Sequence, residues 1–246
     1  TMASVREVYN ALKDIANKDQ RGFVTPSQFN AFAPIAQMNV FNSIFNKLGT
    51  AAMMRRRNID PGRDKSLGKQ AKEDLSLFSK SSGAIARTSG AHFTKPADLA
   101  RVITVKTFGS ILMDVSSSVT IPVEYDEEKL EYIINSNLSK PTEDAPVAFL
   151  NDEVMVFPES INKISMRYYK QPEGLLATTG ARTASLPKFG FTVVNNKEVY
   201  AAATSIDFEL PEHYTPELIE EMARLIGVNL RDVSITNYAE GQKQKR

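Results

Sequence analysis

Twelve residues, Asn17-Lys-Asp19-Gln-Arg21-Gly22-Phe-Val-Thr25-Pro-Ser-Gln28, have the length and the central glycine of a calcium-binding loop. Such a loop needs oxygen ligands at its first, third and fifth positions and a bidentate glutamate at its last. Those places hold Asn17, Asp19, Arg21 and Gln28, one negative charge against one positive. The stretch therefore reads as a turn between two helices. His92 and His213 each stand alone, with no second imidazole at metal-ligand spacing. His213 precedes the last helix and is expected at the surface. The carboxylates of Asp126–Glu128 and Glu220–Glu221 fall on expected helices, where a solvated face accounts for them. There is no glycine-rich phosphate loop and no Gly-x-Ser-x-Gly elbow. The absence of cysteine excludes disulfides, thiolate metal sites and thiol catalysis. No catalytic, cofactor-binding or metal-binding residue is assigned, and the chain reads as a non-enzyme.

One segment retains a chemistry. Arg55-Arg56-Arg57, Arg63, Lys65, Lys69, Lys72, Lys80 and Arg87 face only Asp60, Asp64, Glu73 and Asp74. Clustered guanidinium and ammonium groups can meet phosphate backbones by charge alone. Aromatic platforms for base stacking are nearly missing, since only Phe78 is at hand. Arg55, Arg56, Arg57, Arg63 and Lys65 are thus the candidate contacts to a DNA backbone or channel. A nucleic-acid-binding module using residues 55–87 is the alternative to the preferred reading, a solvated loop or partner-docking arm.

Composition sets the frame. Of 246 residues, 42% are hydrophobic and 24% charged, ordinary for a folded chain of one large domain or two small ones. The net charge of +1 implies no overall pull toward nucleic acid or membrane. No apolar run approaches the roughly 20 residues that span a bilayer, so no membrane partner is expected. No secretory signal is visible, and Thr1 ahead of Met2 is left out of the fold.

The elements follow from periodicity. Ser4–Asn17 reads as a helix with Val5, Val8, Tyr9, Leu12, Ile15 and Ala16 on one face. A second helix starts at Thr25 and Pro26, with Gln28 completing a Thr-x-x-Gln capping box. Its stripe runs from Phe29 to Leu48, with a kink or break expected near Ala33 because of Pro34, and a stop at Gly49. Residues 50–94 read as a basic arm with a short helix at Lys69–Phe78. Lys95–Arg101 reads as a turn or short helix. Val102–Phe108 and Ile111–Val123 read as a hairpin around Gly109-Ser110. Tyr125–Asn135 is a helix. Val147–Leu150 and Glu153–Phe157 form a hairpin, Ile161–Lys170 a strand, and Leu175–Phe189 a long loop or arm. Phe191–Val194 and Glu198–Ala202 flank a connection at Asn195–Lys197, and Ser205–Leu210 alternates as a strand. Thr215 and Pro216 open a helix running to Gly227, followed by a final turn or helix in Val228–Ala239 and a polar, basic tail. The fold class is α+β: an N-terminal helical hairpin (2–49), a basic flexible arm (50–94) and an α+β domain (95–246) with a central antiparallel β-rich region and a C-terminal helix.

Several segments, taken in order, resemble a known pattern. Asn17–Asn30 with Ala36-Gln37 and Phe41-Asn42, then Lys95-Pro-Ala-Asp98, look like structural proteins of crAss-like bacteriophages. So do Ile121-Pro122, Ser139-Lys-Pro141-Thr, Phe157-Pro158 and Arg167-Tyr-Tyr-Lys-Gln-Pro172. The ending Ser205–Pro211 with Leu225–Arg231 is similar too. The resemblance covers about residues 5–240. It implies a virion component of the head-to-tail connector, a ring protein below the portal in the neck or tail. Such rings hold many identical copies, commonly about twelve, around the genome channel. It further implies assembly in the host bacterial cytoplasm, with the chain itself, the portal, neighbouring tail or ring proteins and, non-specifically, genomic DNA as partners. The pattern carries no catalytic residues.

Overall fold

The computed structural model describes residues 2–18, 24–57, 61–108, 118–172, 186–195 and 197–229. The expected turn at Gly109-Ser110, residues 19–23 of the calcium-like loop, most of Leu175–Phe189, and the region after Asn229 lie outside the described residues. The chain is a mixed α+β protein that divides into two units, one of Thr1–Asp74 with Pro172–Arg246, the other of Leu75–Gln171.

The first unit is built on helices. α1 (Val5–Lys18) buries Val5, Val8, Tyr9, Leu12 and Ala16. α2 (Pro26–Arg57) opens on the capping box: the Gln28 N–H donates to Thr25 Oγ1, and the Thr25 N–H donates back to Gln28 Oε1, both at 3.2 Å. α2 then continues through Pro34 and past Gly49. Pro34 removes one intrahelical bond. The face formed by Phe29, Ala33, Ala36, Val40, Phe41, Ile44 and Phe45 is buried on both sides of it, and that packing carries the helix on. Gly49 weakens a helix by about 1 kcal/mol relative to alanine but stops it only in a left-handed cap. Here the helix-favouring run Ala51-Ala52-Met53-Met54 carries it to Arg57. α3 (Pro61–Ser76) follows, longer and earlier than the helix expected at Lys69–Phe78.

α5 (Thr215–Asn229) packs Leu218, Met222, Ala223 and Ile226 inward and lies against α1 and α2. Thr215 is not its cap. It is already helical (φ −51°, ψ −45°), and its Oγ1 is buried without a hydrogen-bond partner. A short 3₁₀ turn, Glu212–Tyr214, leads in instead, with the Tyr214 N–H on the Pro211 carbonyl at 3.0 Å. A buried hydroxyl with no partner is a loss that an isosteric methyl avoids. Thr215→Val is therefore expected to raise stability by about 1 kcal/mol, read as a shift in the urea midpoint.

Ser205–Leu210, expected as a strand, joins no sheet. It lies extended and is bonded at single points: the Ile206 N–H to the Lys188 carbonyl at 2.9 Å and the Phe208 N–H to the Ala3 carbonyl at 3.2 Å. Asp207 Oδ1 accepts the Val5 N–H at 3.0 Å, so the first turn of α1 is capped by a residue 202 positions away. β9 (Phe191–Val194) and β10 (Lys197–Tyr200) form a separate two-stranded ribbon. Asn195 turns it with φ 51°, a left-handed conformation that asparagine tolerates. At the ribbon's root Gly190 is obligatory for space, since a Cβ there would sit 2.7 Å from the Thr204 carbonyl carbon.

The second unit is built on a sheet of eight strands. β1 (Ser79–Ser89), β2 (His92–Phe93), β3 (Leu99–Thr107), β4 (Thr120–Ile121) and β5 (Val123–Glu124) precede α4 (Glu127–Asn135). β6 (Val147–Leu150), β7 (Val154–Phe157) and β8 (Lys163–Lys170) follow it. The order is β4-β3-β8-β1-β2-β7-β6-β5. β4 and β5 are separated only by Pro122, yet they lie at opposite ends of that order. β4 pairs with β3, and β5 pairs with β6. The sheet therefore closes on itself through Thr120–Glu124. Pro122 stands where the strand changes partner and needs no donor. The enclosed core is Phe93, Val105, Ile121, Ala148, Val154, Val156, Ile164, Met166 and Tyr168. Leu99–Arg101, expected in a turn or helix, belongs to β3, and β1 occupies a stretch expected as an arm.

Candidate functional site

The five basic residues named from sequence lie in the first unit. Arg55, Arg56 and Arg57 are the last three residues of α2, where the helix macrodipole favours cations. Arg63 and Lys65 lie in the first turns of α3. Their side chains lie outside the described residues. Three residues join the two helices, so the Cα atoms of Arg57 and Pro61 are at most about 15 Å apart, and the chain itself keeps the five together. Three other basic residues of the segment have partners within the chain. Lys69 faces Glu73 at 3.6 Å, one helical turn on. Lys80 Nζ lies 2.8 Å from Asp98 Oδ2. The Arg87 guanidinium donates to the Glu159 carbonyl.

A polar cluster in the first unit had no sequence signal. Asp74 is buried and accepts the Tyr214 hydroxyl at 2.8 Å, with His213 Nε2 at 3.3 Å from its other oxygen. Lys47 Nζ lies 5.0 Å above the centre of the Tyr214 ring and 2.7 Å from Glu217 Oε1. A cavity of about 300 Å³ opens beside them, lined by Lys47, Gln70, Ala71, His213, Tyr214 and Glu217. Burial, then the hydrogen bond to Asp74, then the charges of Asp74 and Glu217 push the Tyr214 phenol far up. It stays a donor and cannot serve as a base. Asp74 and Tyr214 are 140 residues apart, a pairing that no local pattern marks. The half-exposed His213 agrees with the surface position expected of it. His92 bonds Glu153 Oε2 through Nδ1 at 2.7 Å. These arrangements tie elements together, and no nucleophile stands against either imidazole among the described contacts.

The features left without an internal role are surfaces. The β9–β10 ribbon exposes Phe191, Val193, Val194 and Val199. Its register puts Phe191 and Val193 on one face and Val194 and Val199 on the other, so apolar side chains meet solvent on both sides. Around α4, Tyr125, Tyr132 and Leu138 are exposed as well.

Among the described residues no group of three His, Cys, Asp or Glu side chains can hold a metal ion, and no helix is long and apolar enough to cross a membrane. Compared with known proteins, the chain matches no family model and no curated sequence.

Proposed function

We propose that this chain is a structural subunit of a ring in the head-to-tail connector or tail of a tailed phage, surrounding the genome channel in the virion. The observation that supports this reading is the β9–β10 ribbon. A two-stranded ribbon is marginal by itself. This one is packed at its root, where Tyr200 meets Phe189 and Arg6, yet carries valines at 64%, 52% and 47% exposure (Val193, Val194 and Val199) on its two faces. Exposed apolar strand residues invite pairing with another chain unless something covers them. A subunit that is covered by its neighbours in a ring has such a surface when alone.

The test is a ribbon variant carrying Val193→Lys and Val199→Lys. Both side chains are solvent-facing, so the circular dichroism spectrum and melting temperature are expected to stay near wild type. The mass by light scattering is expected to fall from an assembly to a single chain. An assembly of unchanged mass would remove the ribbon from the ring contacts.

A further inference from the structure

Charge is segregated along this chain, although its net value is only +1. Residues 55–72 hold seven basic residues against two acidic ones. Residues 124–131 hold five acidic residues against one basic. The acidic stretch surrounds α4, whose inner side is set by buried Leu130. Its outer side, Glu128, Glu131, Tyr132 and Asn135, follows the i, i+3, i+4, i+7 spacing of one helix face and lines a shallow groove. Tyr125 is 65% exposed, Tyr132 70% and Leu138 98%. Among the described residues Glu127, Glu128 and Glu131 take part in no ion pair, whereas Glu124 is taken by Lys129 at 2.6 Å. The helix therefore presents open carboxylates beside the open phenol ring of Tyr132, with exposed Tyr125 and Leu138 in the segments that flank it in sequence. Guanidinium groups suit that surface, since they fork onto carboxylates and stack on aromatic faces.

We infer that the outer face of α4 is the socket for the arginine run Arg55–Arg57 of a second copy of this chain. The inference rests on the ring reading and gives that ring its join. The two surfaces are different patches of one chain, so the contact is head-to-tail, and such contacts close into rings when the rotation allows. The arginines are then spent on a neighbour and not on the phosphates of the genome.

The test is a charge exchange on the full chain, read by light scattering across a concentration series. Glu128→Arg with Glu131→Arg, and separately Arg55→Glu, Arg56→Glu and Arg57→Glu, are each expected to weaken association by about 100-fold or more, because like charges then face each other. Combining the two sets in one chain is expected to restore association to within about tenfold of wild type. Tyr132→Ala, a solvent-facing change that leaves the charges alone, is expected to weaken association about tenfold. The rescue distinguishes a lost contact from a misfolded helix. Wild-type association in both reversed variants would overturn the inference and leave the ring standing. Loss of salt-dependent duplex DNA binding on reversing Arg55–Arg57, with assembly intact, would also overturn it, by assigning the run to phosphates. A wild-type chain that never associates would overturn the ring reading and this join with it.

Discussion

Replacing Phe189 with alanine is expected to destabilise the first unit by about 3–5 kcal/mol, the range for removing a buried aromatic ring. Phe189 is 4% exposed. Its ring stacks on Tyr9 at 4.1 Å, meets Phe29 edge-on at 6.3 Å and touches Tyr200 at 5.3 Å. Its backbone is held at both ends by one side chain. Asn30 Nδ2 donates to the Phe189 carbonyl at 3.1 Å, and the Phe189 N–H donates to Asn30 Oδ1 at 2.7 Å. Removing the ring leaves a hole among α1, α2 and the ribbon's root, and the amide clamp keeps the backbone from collapsing into it. Urea unfolding measures the loss. Phe189→Leu keeps much of the volume and is expected to lose less than half as much. A change below 1 kcal/mol for the alanine variant would show that residues 186–190 are not fixed to the helices.

Asp98→Ala is expected to lower the stability of the second unit by about 2–4 kcal/mol, because it leaves a buried hydroxyl and a cation without their acceptor. Asp98 is buried; its Oδ1 accepts the Tyr168 hydroxyl and its Oδ2 accepts Lys80, each at 2.8 Å. Tyr168 is itself 2% exposed, so its hydroxyl has no ready access to water after the change. Lys80 is half-exposed and recovers hydration, which keeps the loss below that of a fully buried pair. Burial pushes the Asp98 carboxyl up, but the hydrogen bonds from Lys80 and Tyr168 outweigh it and hold the group below its usual range. A depressed folded-state value means that the contribution is complete above the unfolded value, near pH 4, and is lost as pH falls through the folded one. Wild type is therefore expected to lose stability on acidification below about pH 4 more steeply than Asp98→Asn. Parallel acid titrations of the two proteins would contradict this assignment.

The parts of the fold legible in the sequence are those set by near neighbours. The Thr25–Gln28 capping box forms as written, because both bonds lie within one turn. The helix expected at Tyr125–Asn135 forms as α4, two residues shorter because Asp126 caps it through the Glu128 N–H at 3.1 Å, and β6 and β7 pair around Asn151-Asp152 as their spacing implies. The failures come from partners far along the chain. β1 opens with Ser-Lys-Ser-Ser-Gly-Ala, without apolar alternation, and is a strand because β8, some eighty residues on, supplies its ladder. Ser205–Leu210 alternates well, yet its backbone groups go to Lys188, Ala3 and the Gln37 side chain and not to a neighbouring strand. Gly49 looked like a stop, but a glycine ends a helix only where the backbone turns left-handed. As for the sites, Asp74 with Tyr214 and Asp98 with Tyr168 are pairs 140 and 70 residues apart. Only the folded chain brings them together.

The proposal that copies of this chain close into a ring is tested most directly by its mass in solution. Light scattering over a concentration series, followed by negative-stain imaging of the largest species, gives the number of copies and their arrangement. The account predicts a discrete species of about twelve chains, annular in projection, that dissociates as salt is raised. A single species of 27.3 kDa at every concentration and salt would contradict it.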